Sequence, residues 1–157
     1  MKRLLPILPI LFAAAVTTAC AEEPSMKSVS ESLKVETTGG KVLVHLTVVN
    51  GTDAPVWVPA AVAREAELTR REFDVQAEGK PVDYAGRMVK RGPITADDYV
   101  RIEPHTKAEN TVDITNAYAW PPGSHAYTLG YDGSYLADIA KLDSPTPVKV
   151  ERAAFFH

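Results

Sequence analysis

The chain has 157 residues, 45% of them hydrophobic and 24% charged, enough for one globular domain with a core of its own. Its formal net charge of −3 becomes −5 if Lys2 and Arg3 leave with a leader, which argues against a nucleic-acid partner. Cys20 is the single cysteine, so no intrachain disulfide can form.

Lys2 and Arg3 precede an apolar run from Leu4 to Val16 and then "TTACAEEPS". A basic cap, a short apolar stretch and small residues at its end predict an export signal, too short to span a bilayer as a helix. "TTAC" resembles a bacterial lipobox, with Thr17 a weaker occupant than Leu three residues before the cysteine. The resemblance implies acylation of Cys20 and a membrane anchor of several acyl chains. Ala21 behind it leans toward the outer membrane, facing the periplasm. Ordinary cleavage after Ala21, giving a soluble periplasmic or secreted protein, stays open because Ala19-Cys20-Ala21 also fits A-x-A. The expected organisation is a signal over 1–19, an acylated cysteine and flexible tether over 20–32, and a β-sandwich over 33–157.

"KVLVHLTVVN" alternates Val42, Val44, Leu46 and Val48 with Leu43, His45, Thr47 and Val49, which predicts a central strand. "NGTDAP" is a turn, in preference to a glycosylation sequon at Asn50, and "VWVP" opens a short strand. Over Ala60 to Arg71, Ala, Glu, Leu and Arg predict a short helix with Glu67 paired to Arg71. "REFDVQAEGKPVDYAG" is a hairpin with Phe73, Val75 and Ala77 inward and Val82 and Tyr84 returning. "YVRIEP" and "AENTVDI" are expected to pair around Pro104 to Lys107. "HAYTLGYDG" carries Tyr127, Leu129 and Tyr131 on one face, "SYLADIAKL" suits a second short helix, and "TPVKVERAAF" is the last strand. The sum is an all-β, immunoglobulin-like antiparallel sandwich of about seven to nine strands with one or two short helices.

In this order, "FDVQAEGKPVDYAGRMVKRGPITADDYVRIEP", "TVDITNAY" and "PPGSHAYTLGYDG" resemble the non-catalytic β-sandwich domain that precedes the protease domain in bacterial deuterolysin-like (peptidyl-Lys, aspzincin) metalloendopeptidases. The resemblance spans about Lys41 to Arg152 and implies a module that accompanies proteolysis. Pro104-His105-Thr106 stands where the family has Pro-Gly-Glu, and "AAVAREAEL" replaces a Thr-Pro-Leu loop. The chain ends at His157, and none of His45, His105, His125 and His157 is followed by Glu, so the H-E-x-x-H zinc helix of the family is missing.

No two histidines have a ligand spacing, so no metal or cofactor is expected. Ser124 and His125, adjacent on a strand, point to opposite faces, and no G-x-S-x-G elbow is present. Asp97 and Asp98 suit a helical turn capped by Thr95 better than a carboxylate pair or a calcium loop. Lys90 and Arg91 also diverge on an extended chain, one of them free to pair with that acidic turn. Trp57, Tyr118, Trp120, Tyr127 and Tyr131 suit a core, with Tyr118 fastening the turn after Thr115. Trp120 before Pro121-Pro122 is the aromatic most expected in an exposed loop. The candidate partner surface is therefore Trp120, Tyr118 and Arg91. The expected function is a non-enzymatic exported lipoprotein whose sandwich binds a protein or peptide, with an association with proteolysis implied by the resemblance. The alternative is a divergent peptidase-family member or accessory subunit of a zinc metalloendopeptidase, and a structural envelope protein is a third reading.

Overall fold

The structure, a computed structural model, describes residues 27–157. The predicted signal, Cys20 and the tether as far as residue 26 lie outside the described residues. Along the chain run β1 (Val29–Thr38), β2 (Lys41–Asn50), β3 (Val56–Pro59), α1 (Ala60–Ala63), β4 (Asp74–Ala77) and β5 (Lys80–Pro81). A 3-10 turn (Ala96–Asp98) leads into β6 (Tyr99–Ile102), followed by β7 (Thr106–Asp113), β8 (Ala126–Gly130), β9 (Gly133–Tyr135), β10 (Thr146–Val148) and β11 (Ala153–Phe156). The protein is all-β and sandwich-like, and eight of these strands have four residues or more.

All strand pairings are antiparallel, in sheets ordered β1-β2-β7, β11-β8-β4-β5, β3-β6 and β10-β9. β1 and β2 form a long hairpin from Val29 opposite Asn50 to Thr38 opposite Lys41, turned by Gly39 and Gly40. Both glycines have positive φ, 55° and 78°, as a two-residue hairpin turn of matching twist requires. β2 is central in its sheet, as its alternation predicted. One side, Val42, Val44, Leu46 and Val48, is buried, while Leu43, His45 and Thr47 are half-buried and Val49 is 38% exposed. The buried side joins Phe73, Val75, Tyr127 and Leu129 from the four-stranded sheet in one core cluster. Each such side chain contributes about 1.5–3 kcal/mol on burial.

Four expectations require correction. β1 begins at Val29, inside the predicted tether, because Val29, Glu31 and Leu33 are buried between exposed Ser30 and Ser32. The serines conceal a period of two. The helix stops at Ala63, and the expected Glu67 to Arg71 pair does not form. Asn110 Nδ2 donates to the carbonyls of Val62 and Glu65 at 3.2 and 2.8 Å, the backbone at Glu67 forms a parallel β-bridge with Asp113, and Arg71 pairs with Asp74 at 3.2 Å. Tertiary partners thus override the helix preference of the segment. The segment from Ser134 to Leu142 contains no helix, its start being the short strand β9. Finally, β6 and β7 do not pair with each other. β6 lies on β3 and β7 on β2, so Pro104-His105 carries the chain from one sheet to another, with His105 at φ 56°.

"TPVKVERAAF" likewise serves two sheets. Val148 opposes Gly133 and Ala153 opposes Leu129, so the chain crosses between them over 149–152.

Candidate functional site

The three residues expected at a partner surface are not brought together as one. Tyr118, 4% exposed, donates its hydroxyl to the Phe73 carbonyl at 2.7 Å and packs edge-on against Tyr84. Burial raises its pKa, which keeps the phenol neutral and donating. Its bond fastens the chain in front of β4, not the turn after Thr115. That turn is fastened by Trp120, whose Nε1 donates to the Thr115 carbonyl at 2.8 Å. The Pro121-Pro122 loop does form, but the indole folds back from it. Half-buried, the indole meets Tyr127 at 5.2 Å and His157 at 5.2 Å, with Phe155 at 6.3 Å. Tyr118 is a core residue as expected, whereas the exposed position expected of Trp120 is corrected.

Arg91 is a brace. Its guanidinium reaches both oxygens of Glu65 at 3.3 Å, Thr69 Oγ1 at 2.7 Å and Asp98 Oδ1 at 3.4 Å. The Arg91 to Asp98 pair is the contact with the acidic turn that the sequence suggested, and Lys90 stays exposed. The Thr95 amide donates to Asp98 Oδ2 at 2.8 Å, and that bond holds the Asp98 carboxyl below the usual carboxylate range. Asp97 gives only its carbonyl to Arg64, at 3.4 Å. The two aspartates therefore cap and flank a turn and do not converge on a reacting atom. Because the side chains of Arg91 and Glu65 keep about a third of their surface in water, Arg91→Gln should cost at most about 1 kcal/mol in a urea melt. A loss of several kcal/mol would give that brace a larger structural role.

His125 is bonded on both ring nitrogens, Nδ1 to Glu78 Oε1 at 3.2 Å and Nε2 to the Pro122 carbonyl at 2.9 Å. Two acceptors favour the doubly protonated ring, and the Pro122 carbonyl first, then Glu78, raises its pKa. Its backbone exchanges both hydrogen bonds with His157, closing the β8–β11 pair. Ser124 beside it is exposed and bonded to neither histidine. Among the described residues no three or more His, Cys, Asp or Glu side chains converge as a metal site, and no helix is long and apolar enough to cross a membrane.

The surface feature that the sequence reading missed lies outside the four-stranded sheet. Tyr127 and Phe155 enter the core, so Ala126, Thr128, Ala154 and Phe156 occupy the opposite face, where Phe156 opposes Ala126 and Ala154 opposes Thr128. Three small side chains set a low floor beside Phe156, which is 71% exposed. With Glu78 and Gly79 at one end they outline a mainly apolar groove of about 280 Å³. Consecutive Phe155 and Phe156 on a strand must face opposite ways, which was the available signal.

Comparison with protein-family models and with curated proteins gives no match. The class defined at this point is an all-β, antiparallel, sandwich-like domain.

Proposed function

We propose that the chain is a non-enzymatic exported lipoprotein, anchored through Cys20, whose domain binds a protein or peptide in the groove beside Phe156. The observation that supports the binding surface is the exposed Phe156 side chain beside Ala126, Thr128 and Ala154 on one sheet face. A large aromatic beside small residues is a preorganised anchor, of the kind that dominates protein interfaces. The lipobox-like "TTAC" supports the anchor, and the resemblance to a domain that accompanies metalloendopeptidases suggests work near proteolysis. The inward and bonded placements of Tyr118, Trp120 and Arg91 favour this groove over the surface expected from the sequence.

Two measurements test the two halves separately. Metabolic lipid labelling should mark the wild-type chain and not Cys20→Ser. A photoreactive phenylalanine at position 156 of the tethered protein should crosslink a discrete partner that the same group at exposed Asp53 does not. Phe156→Ser should weaken that partner about tenfold or more while changing stability by about 0.5 kcal/mol or less. Identical crosslinks from both positions would remove the groove from the proposal.

A further inference from the structure

Between β5 and the 3-10 turn, the chain runs from Val82 to Thr95 with a single bridge, Tyr84 to Tyr118. Loops of this length are uncommon in compact domains unless they carry a function. This one holds Met88, Val89 and Ile94, 77%, 44% and 59% exposed, three of the five large hydrophobic side chains that stand exposed among the described residues. Arg87, Lys90 and Arg91 are interleaved with them, and no acid occurs from Gly86 to Ala96.

The loop is braced at several points. The Tyr84 hydroxyl donates to the Arg87 carbonyl at 2.8 Å, the Val89 amide donates to the Thr69 carbonyl at 2.9 Å, and Arg91 is held by Glu65, Thr69 and Asp98. The apolar side chains are therefore presented outward from a fixed backbone. Arg91 is satisfied, whereas Arg87 and Lys90 have no acidic partner among the described residues.

We infer that Gly86 to Ile94 is an interfacial loop that rests on an anionic lipid bilayer, Met88, Val89 and Ile94 entering the acyl boundary and Arg87 and Lys90 meeting lipid phosphates. Unpaired cations beside protruding aliphatic side chains on a net acidic chain complement a negatively charged apolar surface. A fluid bilayer supplies both environments without the shape-matched pocket that a protein partner must bring. The contact rests on its own residues, and together with the proposed Cys20 anchor it fixes an orientation. Asp113, which bridges to Glu67, opposes Leu43, seven residues along β2 from the Asn50 that opposes Val29. At about 3.3 Å per residue the loop region lies roughly 20 Å from the start of β1 along the sheet. The nine residues from Cys20 to Val29 reach about 30 Å when extended, so the domain lies along the membrane instead of standing on its N-terminal end.

The test uses the full chain with Cys20→Ser and a single new cysteine, Met88→Cys or Asp53→Cys, carrying an environment-sensitive dye. A histidine tag on each protein and a fixed trace of nickel-chelating lipid hold both on the same vesicles, and both positions are exposed, so folding is not at issue. On phosphatidylglycerol-rich vesicles the dye at 88 should shift to the blue and be quenched by lipid-borne spin labels several-fold more than the dye at 53. High salt, phosphatidylcholine vesicles or Arg87→Gln with Lys90→Gln should each diminish that difference. Equal quenching at both positions would overturn the inference. So would a shift produced by an acidic, leucine-containing peptide and not by vesicles, which would assign the loop to a protein. Lipid labelling of Cys20 reads the anchor independently, so failure of one proposal is distinguishable from failure of the other.

Discussion

Asn50→Ala should cost about 3–5 kcal/mol, seen as a fall of roughly 10–20 °C in the thermal midpoint and an earlier urea transition. Asn50 ends β2 and is 0% exposed. Its two Nδ2 hydrogens, one of them shared, reach the carbonyls of Ala54, Ile102 and Glu103 at 2.9, 3.1 and 3.1 Å, and its Oδ1 accepts from the Thr52 amide at 3.0 Å and the Thr52 hydroxyl at 2.7 Å. One amide thus ties together the end of the central strand, the turn before β3 and the chain between β6 and β7. Alanine would leave several inward-facing polar groups without partners, each costing about 1–3 kcal/mol where water cannot replace the bond. Asn50→Asp should be as damaging, since a carboxylate cannot donate to three carbonyl oxygens. A loss of about 1 kcal/mol or less for both variants would mean that water or local rearrangement fills the site. The same burial closes the Asn50-Gly51-Thr52 sequon: the side chain that would carry a sugar is spent on the backbone.

Asn50 also illustrates where a sequence stops being informative. "NGTDAP" is a turn, as its composition says, but the residues that Asn50 serves at Ile102 and Glu103 lie 52 and 53 positions away. The alternation of Val42, Val44, Leu46 and Val48 is a local signal and led directly to the buried side of β2. The hairpin with Phe73 and Val75 inward was local in the same sense. Non-local competition decided the rest. Asn110 and Asp113 hold Arg64 to Glu67 out of the helix their composition favours, and the turn at Pro104 joins strands of different sheets. The candidate site followed the same division. That Tyr118 belongs to the core was legible, whereas the inward fold of Trp120 and the hydrogen-bond partners of both were not. Phe156 was within reach of the two-residue period, because Phe155 beside it had to take the core face.

Glu31→Gln should leave the protein more stable than wild type at pH 7, by about 1–3 kcal/mol, with the advantage shrinking as the pH is lowered. Glu31 lies on β1 between the core residues Val29 and Leu33, only 6% exposed. Tyr131 donates its hydroxyl to Oε2 at 2.6 Å, while Oε1 has no partner. Gly133 is the reason the carboxyl fits. A Cβ there would stand 2.8 Å from Glu31 Oε2 and 2.7 Å from Val150, so the close approach of β9 demands glycine. Burial raises the Glu31 pKa, and the bonds from Tyr131 and the Ser134 amide only partly oppose it. The folded pKa is therefore above the unfolded one. The stability that Glu31 contributes is full below the ordinary carboxyl range and is lost as pH rises through the folded value. Asp98 and Asp113 act in the opposite sense: hydrogen bonds from Thr95 and Thr115 lower their values, so their contribution is present above the ordinary range and lost on acidification. Glutamine keeps an acceptor for Tyr131 but removes the buried charge, which separates Glu31 from the two aspartates in a pH series of urea melts. Tyr131→Phe supplies the converse, withdrawing the strongest donor to the carboxylate, and should destabilise more at pH 7 than at pH 4. If Glu31→Gln were instead less stable at pH 7 and Tyr131→Phe indifferent to pH, the Glu31 carboxylate would be a satisfied ion, and the burial cost assigned to its unpartnered Oε1 would be wrong.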